Sequence, residues 1–191
     1  MEDFSVLYSY FEKISKRELT DAEKDEIVSV FRKETFDKKQ RVFNAGEENT
    51  RHYYIEKGLL RMYIIDQSGK EFNLLFGKER QWLGDLGTPA STAYYLEAVE
   101  KTTAFSISEE SFVTIMGRYT ELGTNIRRSY IFLQKRFVSI LSKTAEENYE
   151  QLLKSDPDLV QRLPQYHISS YLGVTPVFLS KIIAKKARKR D

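Results

Sequence analysis

The chain has 191 residues with 30 basic and 28 acidic side chains, a net charge of +2, and 41% apolar composition, enough for one domain of average size and a smaller second one. It holds no cysteine and two histidines, His52 and His167, which excludes disulfides, cysteine-ligated zinc and cysteine-ligated iron–sulfur clusters and argues against a histidine-built metal site. The acidic start, Met1-Glu-Asp-Phe-Ser, leads into no apolar stretch of signal-peptide length, and no apolar run is long enough to span a bilayer, so the expected setting is cytoplasmic, without a membrane partner.

Phe4, Leu7, Tyr8 and Phe11 recur at helical spacing, and Thr20-Asp-Ala-Glu23 is a capping-box pattern that opens a second helix through Ile27, Val30 and Phe31. From about Lys33 to Ser106 the period changes to short aromatic and β-branched segments punctuated by glycines, the pattern of an antiparallel barrel or roll. Alternation is clearest at Phe72, Leu74 and Phe76, and the Gly58 turn predicts a hairpin between Tyr53–Ile55 and Leu60–Ile64. Ser108 caps the next helical region, and a long helix is expected from about Thr120 to Ser142. Leu122, Ile126, Leu133, Phe137 and Ile140 lie along it at helical steps. A helix of that length spans roughly 33 Å, more than a small roll needs for cover, so part of the stripe is expected to pack on a second copy; the alternative is a stripe buried inside one subunit.

A shorter helix through Tyr149, Leu152 and Leu153 follows, then a turn of helix at Asp156-Pro-Asp. The segment from Gln165 to Ala184 reads as helix, glycine turn, helix. Ile168, Leu172, Val174, Leu179 and Ile182 would lock the two helices, with small Ser169 at their contact. Gly173 can take the left-handed conformation that ends the first helix, and Thr175 before Pro176 sets the start of the second. From Pro164 to the end there are six basic residues against one acid, a local net of +5 in a chain of +2, which draws a polyanion to this end. The reading divides the chain into residues 1–118 (roll), 119–143 (long helix) and 144–191 (DNA-binding domain).

Helix, glycine-punctuated roll, long helix and terminal helix-turn-helix, together with Phe43-Asn-Ala-Gly46, Tyr53-Tyr-Ile-Glu-Lys-Gly58, the Gly69 hairpin and Trp82-Leu-Gly-Asp-Leu86, resemble the Crp/Fnr superfamily of bacterial transcription regulators. The resemblance implies an α+β fold: an antiparallel β-roll of the cyclic-nucleotide-binding type (a double-stranded β-helix) with flanking helices, a long dimerisation helix and an all-α helix-turn-helix domain. It also implies a homodimer joined through the long helix, an effector site in the roll and recognition helices in successive major grooves, about one helical turn apart. Cyclic-nucleotide-binding members hold the ribose with a Gly-Glu-Leu glutamate and the cyclic phosphate with a nearby arginine. Here Gly84-Asp85-Leu86 keeps the first part with a shorter acid, whereas Thr92, followed by Ala93, stands where the arginine would be. Phe132 and Leu133 stand where polar residues would meet the adenine. Without the charge-assisted phosphate partner, cyclic AMP is not expected as a tight ligand. Tyr94 and Tyr95 either fill the old pocket or border a site for an unknown small-molecule effector.

The expected DNA contacts are Thr175, Pro176, Val177, Ser180, Lys181, Lys185, Lys186 and Arg188. Val177 can meet a thymine methyl, Lys181 a guanine edge or phosphate, and Thr175 a phosphate. Phe178 is read as ambiguous between core and base-reading, with core favoured, and His167 as a surface residue or a backbone-phosphate donor rather than a metal ligand. The hairpin wing that usually follows such a second helix is expected to be missing, with its phosphate contacts supplied by the Lys185–Arg190 run or DNA affinity weaker for their loss. No catalytic constellation or cofactor motif is present, and no enzymatic activity is expected. The expected partners are double-stranded DNA, a second copy of the chain, the unknown effector and RNA polymerase. The rival reading is a sensor or protein-interaction module without sequence-specific DNA binding.

Overall fold

A computed structural model describes residues 3–48, 51–86 and 91–188. By its contacts the chain divides into two units: residues 1–64 with 75–128, and residues 65–74 with 129–191.

The first unit begins with helices α1 (Ser5–Ser15) and α2 (Asp21–Val30). Thr20 caps α2 reciprocally with Glu23, as the capping box requires. Phe31, expected in the helix, instead opens strand β1 (Phe31–Phe36) and lies opposite Ile107. Pairing with a distant strand overrides its helical spacing.

Strands β2 (Arg41–Phe43), β3 (Arg51–Lys57), β4 (Leu60–Ile65), β5 (Glu71–Gly77), β6 (Trp82–Leu83), β7 (Tyr95–Ala98) and β8 (Thr102–Ser108) complete two four-stranded sheets, ordered β1-β8-β3-β6 and β2-β7-β4-β5. The hairpin expected at Gly58 does not form, because β3 and β4 lie in different sheets. Gly58 is a corner, with φ +105 and a backbone so close to Thr102 that an added Cβ would sit 2.5 Å from its hydroxyl. Thr102 Oγ1 accepts from Leu59 N–H at 3.1 Å, tying the corner to β8.

Period-two alternation sorts β3 and β8 between two cores. Tyr54, Phe105 and Ile107 face α1 and α2, together with α3 (Glu109–Arg118) and the start of α4 (Thr120–Ser142). Tyr53, Ile55 and Ala104 face the other sheet's Leu60, Met62 and Leu96. Burial pushes the Tyr53 phenol up to about 12, with Glu34 adding to the shift.

In the second unit α4 continues from residue 129, followed by α5 (Ala145–Ser155), α6 (Pro157–Arg162), α7 (Gln165–Tyr171) and α8 (Pro176–Arg188), joined by the hairpin tip at residues 65–74. Thr144 and Glu147 form a second capping box, and Asp156 caps α6 with Pro157 at its first position. Ser139 of α4 is buried and donates to Asn148 Oδ1 at 2.6 Å, fixing α5 against it.

The stripe along α4 is split. Leu122, expected on the dimer face, is 1% exposed and sits in the core with α1 and α3, and Ile126 packs against that core. These two cover their own roll, so the dimer-face assignment is corrected for them. Beyond residue 128 the helix exposes Tyr130, Leu133, Phe137, Ile140 and Leu141, with Phe137 at 64% and Leu141 at 70%. No helix among the described residues is long and apolar enough to cross a membrane.

Candidate nucleic-acid interface

The α7–α8 junction is set by local chemistry. Gly173 has φ +71, Gly173 N–H donates to Ser170 O at 3.2 Å and Val174 N–H to Ser169 O at 2.9 Å, so the turn closes α7 with its last carbonyls satisfied. Gly173 is required by its backbone angle alone, since nothing lies within 4 Å of where a Cβ would stand. Thr175 Oγ1 accepts from Phe178 N–H at 3.2 Å and Thr175 O from Leu179 N–H at 3.0 Å, which fixes the first turn of α8. Ile168, Ser169, Leu179 and Ile182 are buried between the helices.

That packing leaves one face of α8 outward. Val177, Lys181, Ala184 and Arg188 follow one another at three- and four-residue steps, with Ser180 beside Lys181, and all are exposed. Ser180 Oγ donates to Pro176 O at 3.0 Å, which occupies its proton and leaves its lone pairs outward. Phe178, for which the sequence favoured the core, is 50% exposed, because the buried face belongs to Leu179 and Ile182. Lys185 and Lys186 do not extend freely: Lys185 Nζ is 2.7 Å from Glu146 Oε2 and Lys186 Nζ is 3.4 Å from Glu150 Oε1, both acids on α5. Lys189 and Arg190 lie outside the described residues.

Helix α7 is held by groups whose roles sequence reasoning missed. Arg136 of α4 donates through Nη1 to Leu74 O at 2.7 Å and through Nη2 to Tyr171 O at 2.7 Å, with its guanidinium 3.7 Å from the Tyr171 ring centroid. Burial holds the Arg136 guanidinium below its ordinary pKa, against the opposing influence of Tyr171, and burial raises the Tyr171 phenol. Ser170 Oγ donates to Glu71 O at 2.8 Å and accepts from Asn73 N–H at 2.9 Å. Asn73 Nδ2 donates to His167 O at 3.2 Å. His167, expected at the surface, is 3% exposed, as is Asn73. The signals available in sequence were a polar Asn73 inside an apolar alternation and a charged Arg136 inside a long apolar-striped helix.

Residues 33–119 match the cyclic nucleotide-binding domain family. Among solved structures, FixK2 from Bradyrhizobium japonicum aligns with a TM-score of 0.72 at 18% identity, over 84% of this chain and 86% of that one. The c-di-GMP-responsive global regulator CLP of Xanthomonas campestris aligns at 0.71 and 11% identity, over 89% and 93%. A protein assigned to the crp/fnr family of transcriptional regulators from Eubacterium rectale aligns at 0.70 and 17% identity, over 95% and 88%. The fold is that of the Crp/Fnr regulators. No curated protein matches the chain in sequence.

In this fold the residues expected around an effector are spread over both units. Gly84, Asp85, Leu86, Thr92 and Ala93 belong to the first unit, Phe132 and Leu133 to the second. Gly84 is pressed against His52, where an added Cβ would lie 2.8 Å from Nδ1. His52 is 3% exposed, bonded to Glu109, with its ring centroid 4.2 Å from that of Phe112. Thr92, expected from sequence to stand in an arginine's place, is buried and stitches two loops: its carbonyl accepts from Gly46 N–H at 2.8 Å and its N–H donates to Glu47 O at 3.0 Å. Asp85 is partly buried, whereas Leu86 and Ala93 are exposed, and Pro89 and Ala90 lie outside the described residues. Tyr94 packs against the core between the sheets, while Tyr95 stacks on Tyr63 at 5.1 Å, so the two tyrosines do different jobs. Phe132 is 53% and Leu133 40% exposed.

Proposed function

We propose that the chain is a homodimeric, DNA-binding transcription regulator whose α8 helices enter successive major grooves. The observation that carries this reading is the outward face of α8, built from Val177, Ser180, Lys181, Ala184 and Arg188 on a helix-turn-helix with a closed glycine turn and a capped second helix. Support for the dimer comes from the exposed apolar residues of α4 beyond residue 128, too many large side chains in one stripe to suit a lone surface helix. Leu133, Phe137 and Ile140 are its seam in this reading, joined by Tyr130 and Leu141.

Thr175, Pro176, Val177, Ser180, Lys181 and Arg188 contact the duplex first. Lys185 and Lys186 join only by leaving Glu146 and Glu150. In the roll, the buried Thr92 at the arginine's place and the apolar filling between the sheets favour a domain that does not hold cyclic AMP tightly. Its effector, if it uses one, would border Gly84, Asp85, Leu86 and Ala93. Allostery would then act by changing how two α4 helices cross and hence the spacing of the α8 pair. RNA polymerase is the downstream partner if the regulator activates.

The test is fluorescence anisotropy of a labelled duplex across a salt series, comparing the protein with Lys181→Glu. The reading predicts affinity that falls steeply with salt and drops further in the variant. Salt-independent binding, or binding indifferent to Lys181→Glu, would overturn the role given to α8.

A further inference from the structure

We infer that α8 reads its operator chiefly through thymine methyl groups, with Val177 and Phe178 as an apolar reading tip; this rests on the DNA-binding reading above. Three features of the first turns carry it.

The first is exposure. Val177 is 68% and Phe178 50% exposed, on the two residues after Pro176 that enter a major groove ahead of the rest of the helix. Two neighbouring apolar side chains this exposed are not accounted for by the core, which is built from Leu179 and Ile182 on the other face.

The second is the shortage of hydrogen-bonding groups around that tip. Pro176 has no N–H, the Phe178 N–H is already given to Thr175 Oγ1, and the Ser180 hydroxyl donates back to Pro176 O. Donors that would read a purine edge are therefore supplied along this face by Lys181 and Arg188, toward the middle and end of α8, rather than by the tip.

The third is the chemistry of the groove. The one apolar group that a base pair offers in the major groove is the thymine C5 methyl, and the matching protein group is a small or aromatic apolar side chain. Val177 offers two methyls, and Phe178 a ring edge one residue on. The capped first turn fixes both at their backbone, so the contact costs little ordering. The side chains specify thymine at the step each one touches, and Lys181 specifies or anchors the step beyond.

The experiment starts from duplexes that the protein retains from a random library. In the recovered operator each thymine is replaced in turn by deoxyuridine, which deletes the C5 methyl and leaves every hydrogen-bonding group in place. Affinity is expected to fall about fourfold for each contacted methyl removed, at one or two positions per half-site. Val177→Ser should abolish that discrimination at one position and Phe178→Ser at the other, while both variants keep the thermal stability of the parent. Uracil duplexes bound as tightly as thymine duplexes at every position would overturn the inference while leaving DNA binding intact, as would discrimination that survives both variants. Retention of no duplex at all would overturn the DNA-binding reading itself and this inference with it.

Discussion

Replacing Arg136 with methionine keeps an unbranched apolar stem and removes the guanidinium with its charge and donors, which tests what that group does for α7. In the native protein it donates to the carbonyls of Leu74 and Tyr171, each at 2.7 Å, and lies over the Tyr171 ring. Each carbonyl left without its donor costs about 1–1.5 kcal/mol, at the lower end of the penalty for an unsatisfied buried group. The stacked cation contributes up to about 1 kcal/mol more. Against this, the buried charge is itself penalised, as the lowered Arg136 pKa shows, and methionine relieves that penalty. The net expected loss is about 2–3 kcal/mol, felt locally at α7. Amide hydrogen exchange reads it directly: the protected amides of α7 should exchange roughly 30- to 150-fold faster, while those of α1 and α3 in the other unit stay as they were. Acceleration of less than about twofold at α7, equivalent to under about 0.5 kcal/mol, would refute the argument that this arginine positions the helix. Equal acceleration in both units would refute its local character.

Three further outcomes follow from the same structure. Phe137→Glu places a charge in the exposed α4 stripe twice over in a twofold dimer, so the dimer dissociation constant should rise roughly a thousandfold. Sedimentation velocity checks this, and a variant that sediments like the parent would show that Phe137 lies outside the seam. Glu146→Gln with Glu150→Gln releases Lys185 and Lys186 from their pairs on α5. DNA affinity should rise, and the salt slope should steepen by about 0.9 for each lysine that reaches a phosphate; an unchanged slope would mean that the lysines do not reach the backbone. The third concerns alkaline pH. Tyr53 is raised to about 12 from 10.0, first by burial and then by Glu34. Above about pH 10 the unfolded chain gives up this proton while the folded chain keeps it, so stability is flat below that pH and falls as the pH rises toward 12. Circular dichroism across this range should show Tyr53→Phe blunting the fall, and an identical profile would contradict the assignment.

The features legible in sequence were those whose physics is local. The Thr20 capping box, the Ser108 and Thr175 caps, the left-handed Gly173 and the span of α4 each depend on residues within a few positions of one another, and the structure has them where those residues stand. Errors arose where a distant partner decided the outcome. Gly58 looked like a hairpin glycine until Thr102 of β8 proved to be what it packs on. His167 was read as a surface residue because its buried partner Asn73, whose Nδ2 donates to its carbonyl, lies far away in sequence. Leu122 shares a helical period with Phe137, and periodicity alone could not say that the first is buried in the core with α1 and α3 while the second is exposed. The basic run suggested free phosphate donors, but α5 supplies acids for two of them, a packing invisible in the charge count. In the roll, the use of Thr92 as a stitch between loops was not readable from sequence, because its partners Gly46 and Glu47 lie about 45 residues away.

The central claim is that two copies of this chain recognise a symmetric DNA sequence. Its most direct test is to incubate the protein with a random double-stranded library at near-physiological salt, without added ligand and again with a metabolite extract, and to sequence what is retained. The account predicts an enriched twofold motif whose half-sites lie about 10–11 base pairs apart. Enrichment of no motif under either condition would contradict it, and enrichment of a single unpaired half-site would contradict the dimer.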